Sequence, residues 1–214
     1  MEFISEQLQN YCENHTSSED ELLQLISRET HAKVLMPRML SGHLQGKTLE
    51  LFTKMQQPKT ILEIGTYTGY SAICMARGLD SDGKLITLDK NDELEDMVRG
   101  FFDKSGLASQ IEYKLGNAMD IIPKLDETFD MVFIDADKKN YINYYNLVID
   151  KVNKGGLIMA DNVLWSGKVL KAPSEKIDKD TRVIMDFNDL VQADPRVENV
   201  LFPIRDGIMM ARKL

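Results

Sequence analysis

Thr60-Ile-Leu-Glu-Ile-Gly-Thr-Tyr-Thr-Gly-Tyr-Ser71 reads as a strand, a glycine loop and the start of a helix. Thr60–Ile64 has the apolar, β-branched composition of a buried strand. Gly65 and Gly69 let the backbone turn tightly and approach a ligand closely. Their Gly-x-x-x-Gly spacing differs from the Gly-x-Gly-x-x-Gly of dinucleotide folds, which weighs against a pyrophosphate cradle. Glu63, just inside the loop, would repel phosphates but can accept hydrogen bonds from a cationic or amine-bearing cofactor.

Downstream of this stretch strand and helix patterns alternate. Strands are expected at Thr60–Ile64, Leu85–Leu88, Ile111–Lys114, Met131–Ile134, Leu157–Ala160, Val200–Phe202 and Gly207–Ala211. Helical patterns fill most of the gaps, at Ser71–Leu79, Asp92–Ser105, Asp137–Val152 and Asp180–Ala193. Such alternation implies an α/β fold, a mostly parallel sheet with helices on both faces. Only Pro203-Ile-Arg-Asp206 separates the last two strands, too short for a parallel crossover, so the final strand should run antiparallel. Upstream lie extra helices. Ser17-Ser18 is a candidate N-cap for a helix over Glu19–Ile26 whose apolar face is Leu22, Leu23, Leu25 and Ile26. Leu44, Leu51, Phe52 and Met55 are spaced for one side of a second helix. We divide the chain into an N-terminal helical segment, 1–57, and a core, 58–214, within one structural domain.

The chain has 214 residues, enough for one α/β domain with a sizeable core. A hydrophobic fraction of 43% and a charged fraction of 28% describe a globular rather than a disordered chain. No apolar stretch is long enough to span a bilayer, and Met1-Glu-Phe-Ile-Ser-Glu6 lacks the regions of a signal peptide. Cys12 and Cys74 show no metal spacing and fit reduced thiols in a cytoplasmic protein. His15, His31 and His43 likewise show no ligand spacing. A net charge of −8 weighs against broad binding of nucleic acid. Lys168, Lys171, Lys176, Lys179 and Arg182 form a local basic stretch, diluted by Glu175, Asp178 and Asp180, and we read it as a solvated loop.

Acids recur at the strand ends. Leu88 runs into Asp89, an acid placed to accept both hydroxyls of a ribose. Gly116-Asn117-Ala118 follows the third strand and can close over an adenine. Met131-Val-Phe-Ile134 runs into Asp135-Ala-Asp137-Lys138-Lys139, and Gly156-Leu-Ile-Met-Ala160 into Asp161-Asn162. Ligands bind at the carboxyl ends of parallel strands. Taken singly, each acid is more often a cap or a solvated residue; the ordered series Glu63, Asp89, Ala118, Asp135 reverses that preference. Oxygen-only ligands suit a hard divalent cation, and a lysine beside them can serve as a base.

Three stretches, Leu62–Ser71, Phe133–Lys138 with Tyr141, and Asp161-Asn-Val-Leu-Trp-Ser-Gly167, resemble the cation-dependent O-methyltransferases that use S-adenosylmethionine. That family includes the caffeoyl-CoA and catechol enzymes and many bacterial relatives. The resemblance runs from about Met39 to Asp206-Gly207 and is specific for the family, not for a substrate. It implies a Rossmann-like core with a seven-stranded sheet. It also implies that Glu63, Gly65 and Ser71 hold the methionine part of the cofactor, with Thr66 and Tyr67 in the same loop. Asp89 would hold the ribose, Asn117 and Ala118 would border the adenine, and Met39 and Ser41 would cover the sulfonium end. Asp135, the last acid of the cofactor series, would also be a metal ligand with Asp161 and Asn162, and Lys138 would be the catalytic lysine.

The chemistry follows. A phenolic hydroxyl is a poor nucleophile while protonated; a cation chelated by adjacent hydroxyls favours the oxyanion. Magnesium is the first choice, with manganese or calcium as alternatives. Lys138 would take the hydroxyl proton. Lys139 reads as surface, Asp137 as either a supporting acceptor or a helix cap, and Tyr141, Tyr144 and Tyr145 as packing residues. Trp165 reads equally as an aromatic stacking partner or a loop anchor. His43 stands where many relatives have an acid. The expected acceptor is a small aromatic molecule with vicinal hydroxyls, and the expected assembly a homodimer through the N-terminal helices. One alternative is a tRNA methyltransferase acting on 5-hydroxyuridine at the wobble position, with Lys168–Arg182 as a basic rim. Another is a non-catalytic cofactor-binding module.

Overall fold

The computed structural model describes residues 4–170 and 177–214. Seven strands form one sheet in the order β3-β2-β1-β4-β5-β7-β6. They are β1 Thr60–Ile64, β2 Lys84–Asp89, β3 Ile111–Leu115, β4 Phe129–Ile134, β5 Val152–Asp161, β6 Val197–Phe202 and β7 Ile208–Lys213. The pairs from β3 through β5 are parallel. β7 runs antiparallel to both β5 and β6, and the short Pro203–Asp206 connection accounts for the β6–β7 pairing.

Alternation along each strand sends side chains into two separate cores. Leu62 and Ile64 of β1 join the core covered by α6 (Ala118–Ile121), α7 (Tyr141–Val148) and α8 (Lys179–Ala193). Ile61 faces the other core, under α2 (Glu21–Lys33), α3 (Gly42–Gln56), α4 (Tyr70–Ala76) and α5 (Glu95–Ser105). α1 (Glu6–Asn14) lies outside these layers and buries no residue. Strand order reverses at β1, which has β2 on one side and β4 on the other. Such a reversal is where open α/β sheets form their ligand crevice.

Four sequence expectations need correction. The helix expected over Glu19–Ile26 starts later and runs on to Lys33, and its N-cap is Asp20, whose Oδ1 accepts from Leu23 N at 3.0 Å. The helix read over Asp137–Val152 divides: Lys138–Asn140 is a 3-10 turn, α7 ends at Val148, and Val152 already belongs to β5. β5 is correspondingly longer than Leu157–Ala160; Phe129 pairs with Val152, a register shift follows, and Asp130 Oδ1 accepts from Asn153 Nδ2 at 2.8 Å. In α3 the buried residues are Gln45, Gly46, Leu49, Glu50 and Thr53, whereas Leu51 and Met55 are exposed. α3 packs its small residues against α4: a Cβ on Gly46 would lie 2.5 Å from the Tyr70 ring. Close helix approach thus overrides the apolar stripe.

Candidate active site

Gly65 begins the loop after β1 with φ +107°. A Cβ there would stand 1.9 Å from the Asp135 carbonyl oxygen, so only glycine lets the loop lie against the end of β4. Its N–H donates to Leu88 O at 2.9 Å, and Asp135 N donates to Ile64 O at 2.9 Å. The ends of β2, β1 and β4 are thereby laced together. Tyr67, at φ +50°, donates its N–H to Asp89 Oδ2 at 2.7 Å, and Asn91 N donates to Asp89 Oδ1 at 2.9 Å. Tyr67 Oη donates to Met36 O at 2.9 Å, tying the glycine loop to the upstream segment.

Glu63 is fully buried. It accepts from Ser71 Oγ and Thr87 Oγ1, each at 2.5 Å, and Thr66 Oγ1 lies 2.6 Å from Thr87 Oγ1. Burial pushes the Glu63 carboxyl up to about 8, the neighbouring Asp135 and Asp89 adding to the effect and the two hydroxyls opposing it. Ser41 is buried, and Met39 closes a 3-10 turn with more than half its surface exposed. Asn117 caps α6, its Oδ1 accepting from Met119 N at 3.1 Å, and Ala118 is buried behind it. Glu63, Gly65, Thr66, Tyr67, Ser71 and Asp89 therefore form one connected wall.

The second wall lies at the ends of β4 and β5. Ile134 pairs with Ala160, so Asp135 and Asp161 emerge side by side. Asp161 is 3% exposed, and burial, then the charge of Asp135, raises its carboxyl to about 7. Asn162 follows at φ +60°, a left-handed conformation that asparagine tolerates, and donates its N–H to Asp161 Oδ1 at 2.7 Å. Lys138 reaches back from the 3-10 turn, placing Nζ 3.2 Å from Asp135 Oδ1. It also donates to Tyr141 Oη at 2.6 Å, which in turn donates to Asp161 O at 3.0 Å. Tyr141 stays protonated because burial lifts its hydroxyl well above its ordinary range.

Among the described residues no three His, Cys, Asp or Glu side chains gather in a metal-binding group. The expected set, two carboxylates and an amide, is of another kind. Two carboxyls side by side, one of them buried, with an asparagine next in sequence, offer oxygen ligands in a negative field that Lys138 offsets only in part. That chemistry fits a hard divalent cation.

Tyr141, read from sequence as packing, is buried but also anchors Lys138. Gln45 and Arg205 carried no sequence signal for this crevice, yet Gln45 Nε2 donates to Asp161 Oδ2 at 2.8 Å. Asp137 occupies the N-cap position without a side-chain cap bond; its carboxylate accepts from Tyr144 Oη at 2.6 Å and Asn140 Nδ2 at 2.7 Å. Lys139 is exposed. Trp165 packs against the core, with Lys168 over its ring at 5.6 Å. Each histidine ring meets a backbone carbonyl: His15 that of Tyr11, His31 that of Ser27, His43 that of Ser17. Of the basic stretch, Lys171 and Lys176 lie outside the described residues, and Lys168 Nζ is 3.8 Å from Asp178.

Residues 13–214 match the family model described as O-methyltransferase. Caffeoyl-CoA O-methyltransferase 5 of Nicotiana tabacum is 38% identical over 197 residues, covering 87% of this chain and 82% of the relative. Caffeoyl-CoA O-methyltransferase 1 of Arabidopsis thaliana is 37% identical, covering 87% and 76%. Among solved structures, an O-methyltransferase from Bacillus cereus in complex with SAH superposes with a TM-score of 0.89 at 30% identity, covering 97% of each chain. TomG from Streptomyces achromogenes, in complex with SAM, does so with a TM-score of 0.87 at 28% identity, covering 98% of this chain and 99% of its own.

Proposed function

The chain belongs to the O-methyltransferase family, and from that premise we propose that it methylates one of two adjacent hydroxyls on an aromatic small molecule with help from a divalent cation. Family and fold make it an S-adenosylmethionine-dependent O-methyltransferase of the caffeoyl-CoA type. The observation that carries the finer reading is the pairing of Asp135 and Asp161 at adjacent strand ends, with Lys138 Nζ 3.2 Å from the former.

The cofactor supplies a methyl group on a sulfonium, and a cation held by Asp135, Asp161 and Asn162 supplies the positive charge that favours the acceptor's oxyanion. This chain's residues do the rest. Glu63 faces the amino end of the methionine part as an acceptor, with Ser71 and Thr87 fixing its two oxygens. Gly65, Thr66 and Tyr67 shape the loop beneath it, Asp89 takes the ribose, Asn117 and Ala118 border the adenine, and Met39 and Ser41 cover the sulfonium end. Lys138, in its amine form, accepts the hydroxyl proton at Nζ. The ammonium so formed is held by Asp135 Oδ1 and Tyr141 Oη, the partners it has here. Holding both reactants in line supplies much of the acceleration. We assign residues 1–57 a share in the acceptor's entrance, since Gln45 of this segment reaches Asp161.

A panel with labelled S-adenosylmethionine tests the acceptor. Catechol and caffeate should be labelled, whereas phenol and 4-hydroxycinnamate, lacking the second hydroxyl, should not. Label appearing in tRNA bearing 5-hydroxyuridine and in no catechol would replace this reading. Cofactor binding without transfer to any acceptor would favour a non-catalytic module.

A further inference from the structure

Gln45 is 1% exposed and lies outside the proposed ligand set. Its amide is bonded at both ends. Nε2 donates to Asp161 Oδ2 at 2.8 Å, and Oε1 accepts from Arg205 Nη1 at 3.1 Å. A guanidinium can only donate. The end of the amide facing Arg205 must therefore be the oxygen, and the end facing Asp161 must be the NH2. An amide whose two ends are alike in shape is given a single orientation by its neighbours.

Arg205 is itself held. It sits in the turn between β6 and β7 with φ +49° and donates to Leu40 O at 3.0 Å and to Ser41 O. On the far side, Asp161 Oδ1 accepts from Asn162 N at 2.7 Å. Each oxygen of the Asp161 carboxylate thus has one fixed N–H donor, which sets the plane of the group and leaves lone pairs free on both atoms. The contacts span the N-terminal segment, the end of β5 and the β6–β7 turn, elements that meet only in the folded chain.

We propose that Gln45 and Arg205 are positioning residues for the cation crevice. Arg205 orients the Gln45 amide, and the amide holds the Asp161 carboxylate in the plane in which it faces Asp135. This rests on the cation reading above. Residues that orient a metal ligand from behind typically change metal affinity by about ten- to a hundredfold. A group that merely satisfies a buried acid would leave cation affinity unchanged or improve it when removed.

The test is calorimetric titration of Mn2+ into the metal-stripped full chain, with S-adenosylhomocysteine titrated separately. Gln45→Met keeps the side-chain length and removes both bonds. It should weaken Mn2+ binding by about tenfold or more while leaving S-adenosylhomocysteine affinity within about twofold. Arg205→Met should weaken Mn2+ binding in the same direction, and the double variant should be no weaker than the more affected single one, because both act through one amide. If Gln45→Met fails to fold, Arg205→Met alone carries the Mn2+ comparison. Variants that bind Mn2+ as tightly as the wild type, or losses that add, would overturn the proposal. A wild type that binds neither Mn2+ nor Mg2+ would overturn the cation reading and this inference with it, a result distinguished by the wild-type titration alone.

Discussion

At the scale of single residues, Lys138 and Glu63 carry opposite demands. Lys138 is mostly buried between an acid, Asp135, and a hydroxyl, Tyr141. Lys138→Met should lower kcat by about a hundredfold or more with KM little changed, read from steady-state rates. Tyr141→Phe should cost about 1–3 kcal/mol of stability, since Asp161 O loses a buried donor, and should lower kcat less than Lys138→Met does. Glu63 makes a pH prediction. Its carboxyl rises from 4.5 to about 8 on folding, so between those values the folded chain keeps a proton the unfolded chain has released. Its contribution to stability is fully present below about pH 4.5 and is lost as pH rises through about 8. Urea midpoints of the cofactor-free chain at pH 5, 7 and 9 should fall more steeply for wild type than for Glu63→Gln; parallel curves would refute it. Asp135 and Asp161 were legible in the sequence as changes from apolar to acidic at strand ends, and Glu63 as an acid set within an apolar strand just before the glycine loop. Gln45 and Arg205 were not, because their contacts join residues 116 and 160 positions apart and leave no local pattern.

At the scale of elements, the glycine loop is the most constrained. Gly65→Ala would force a Cβ into the Asp135 carbonyl at φ +107°. The loss should exceed about 2 kcal/mol in urea unfolding, with weaker cofactor binding in the same variant. A neutral substitution would mean that the loop does not pack on β4 as described. The strand-and-helix alternation was readable because its periods differ. The boundary at Val152 was not: Asn153-Lys154-Gly155-Gly156 has the composition of a turn, yet β4 draws it into the sheet through Phe129 and Asp130. Long-range pairing decided a segment whose local preference pointed elsewhere. α3 teaches the same lesson, since Leu51 and Met55 of its expected apolar stripe are exposed while Gly46 and Thr53 face in.

At the scale of the whole molecule, those outward residues bear on the expected homodimer. Leu51 and Met55 of α3 are exposed, as is Val200 on the edge strand β6, and the rings of Phe52 and Phe202 join the two elements at 5.9 Å. Exposed apolar side chains beside an unpaired edge suit a second copy of the chain. Light scattering should give twice the 24.4 kDa chain mass for the wild type and the single mass for Leu51→Glu with Met55→Glu. A wild-type monomer would contradict the homodimer expected from the sequence. The antiparallel last strand follows from a short connection and the parallel majority from strand-helix alternation, which is why the architecture was legible before its details were. Among the described residues no helix is long and apolar enough to cross a membrane. The central claim is that Asp135, Asp161 and Asn162 hold a cation on which methyl transfer depends. Its most direct measurement is the single-turnover rate of methyl transfer to a catechol by metal-stripped enzyme as Mg2+ is added. The account predicts a rate near background that rises and saturates for the wild type and stays flat for Asp161→Ala. A stripped enzyme as fast as the loaded one, or an Asp161→Ala variant that responds like the wild type, would contradict it.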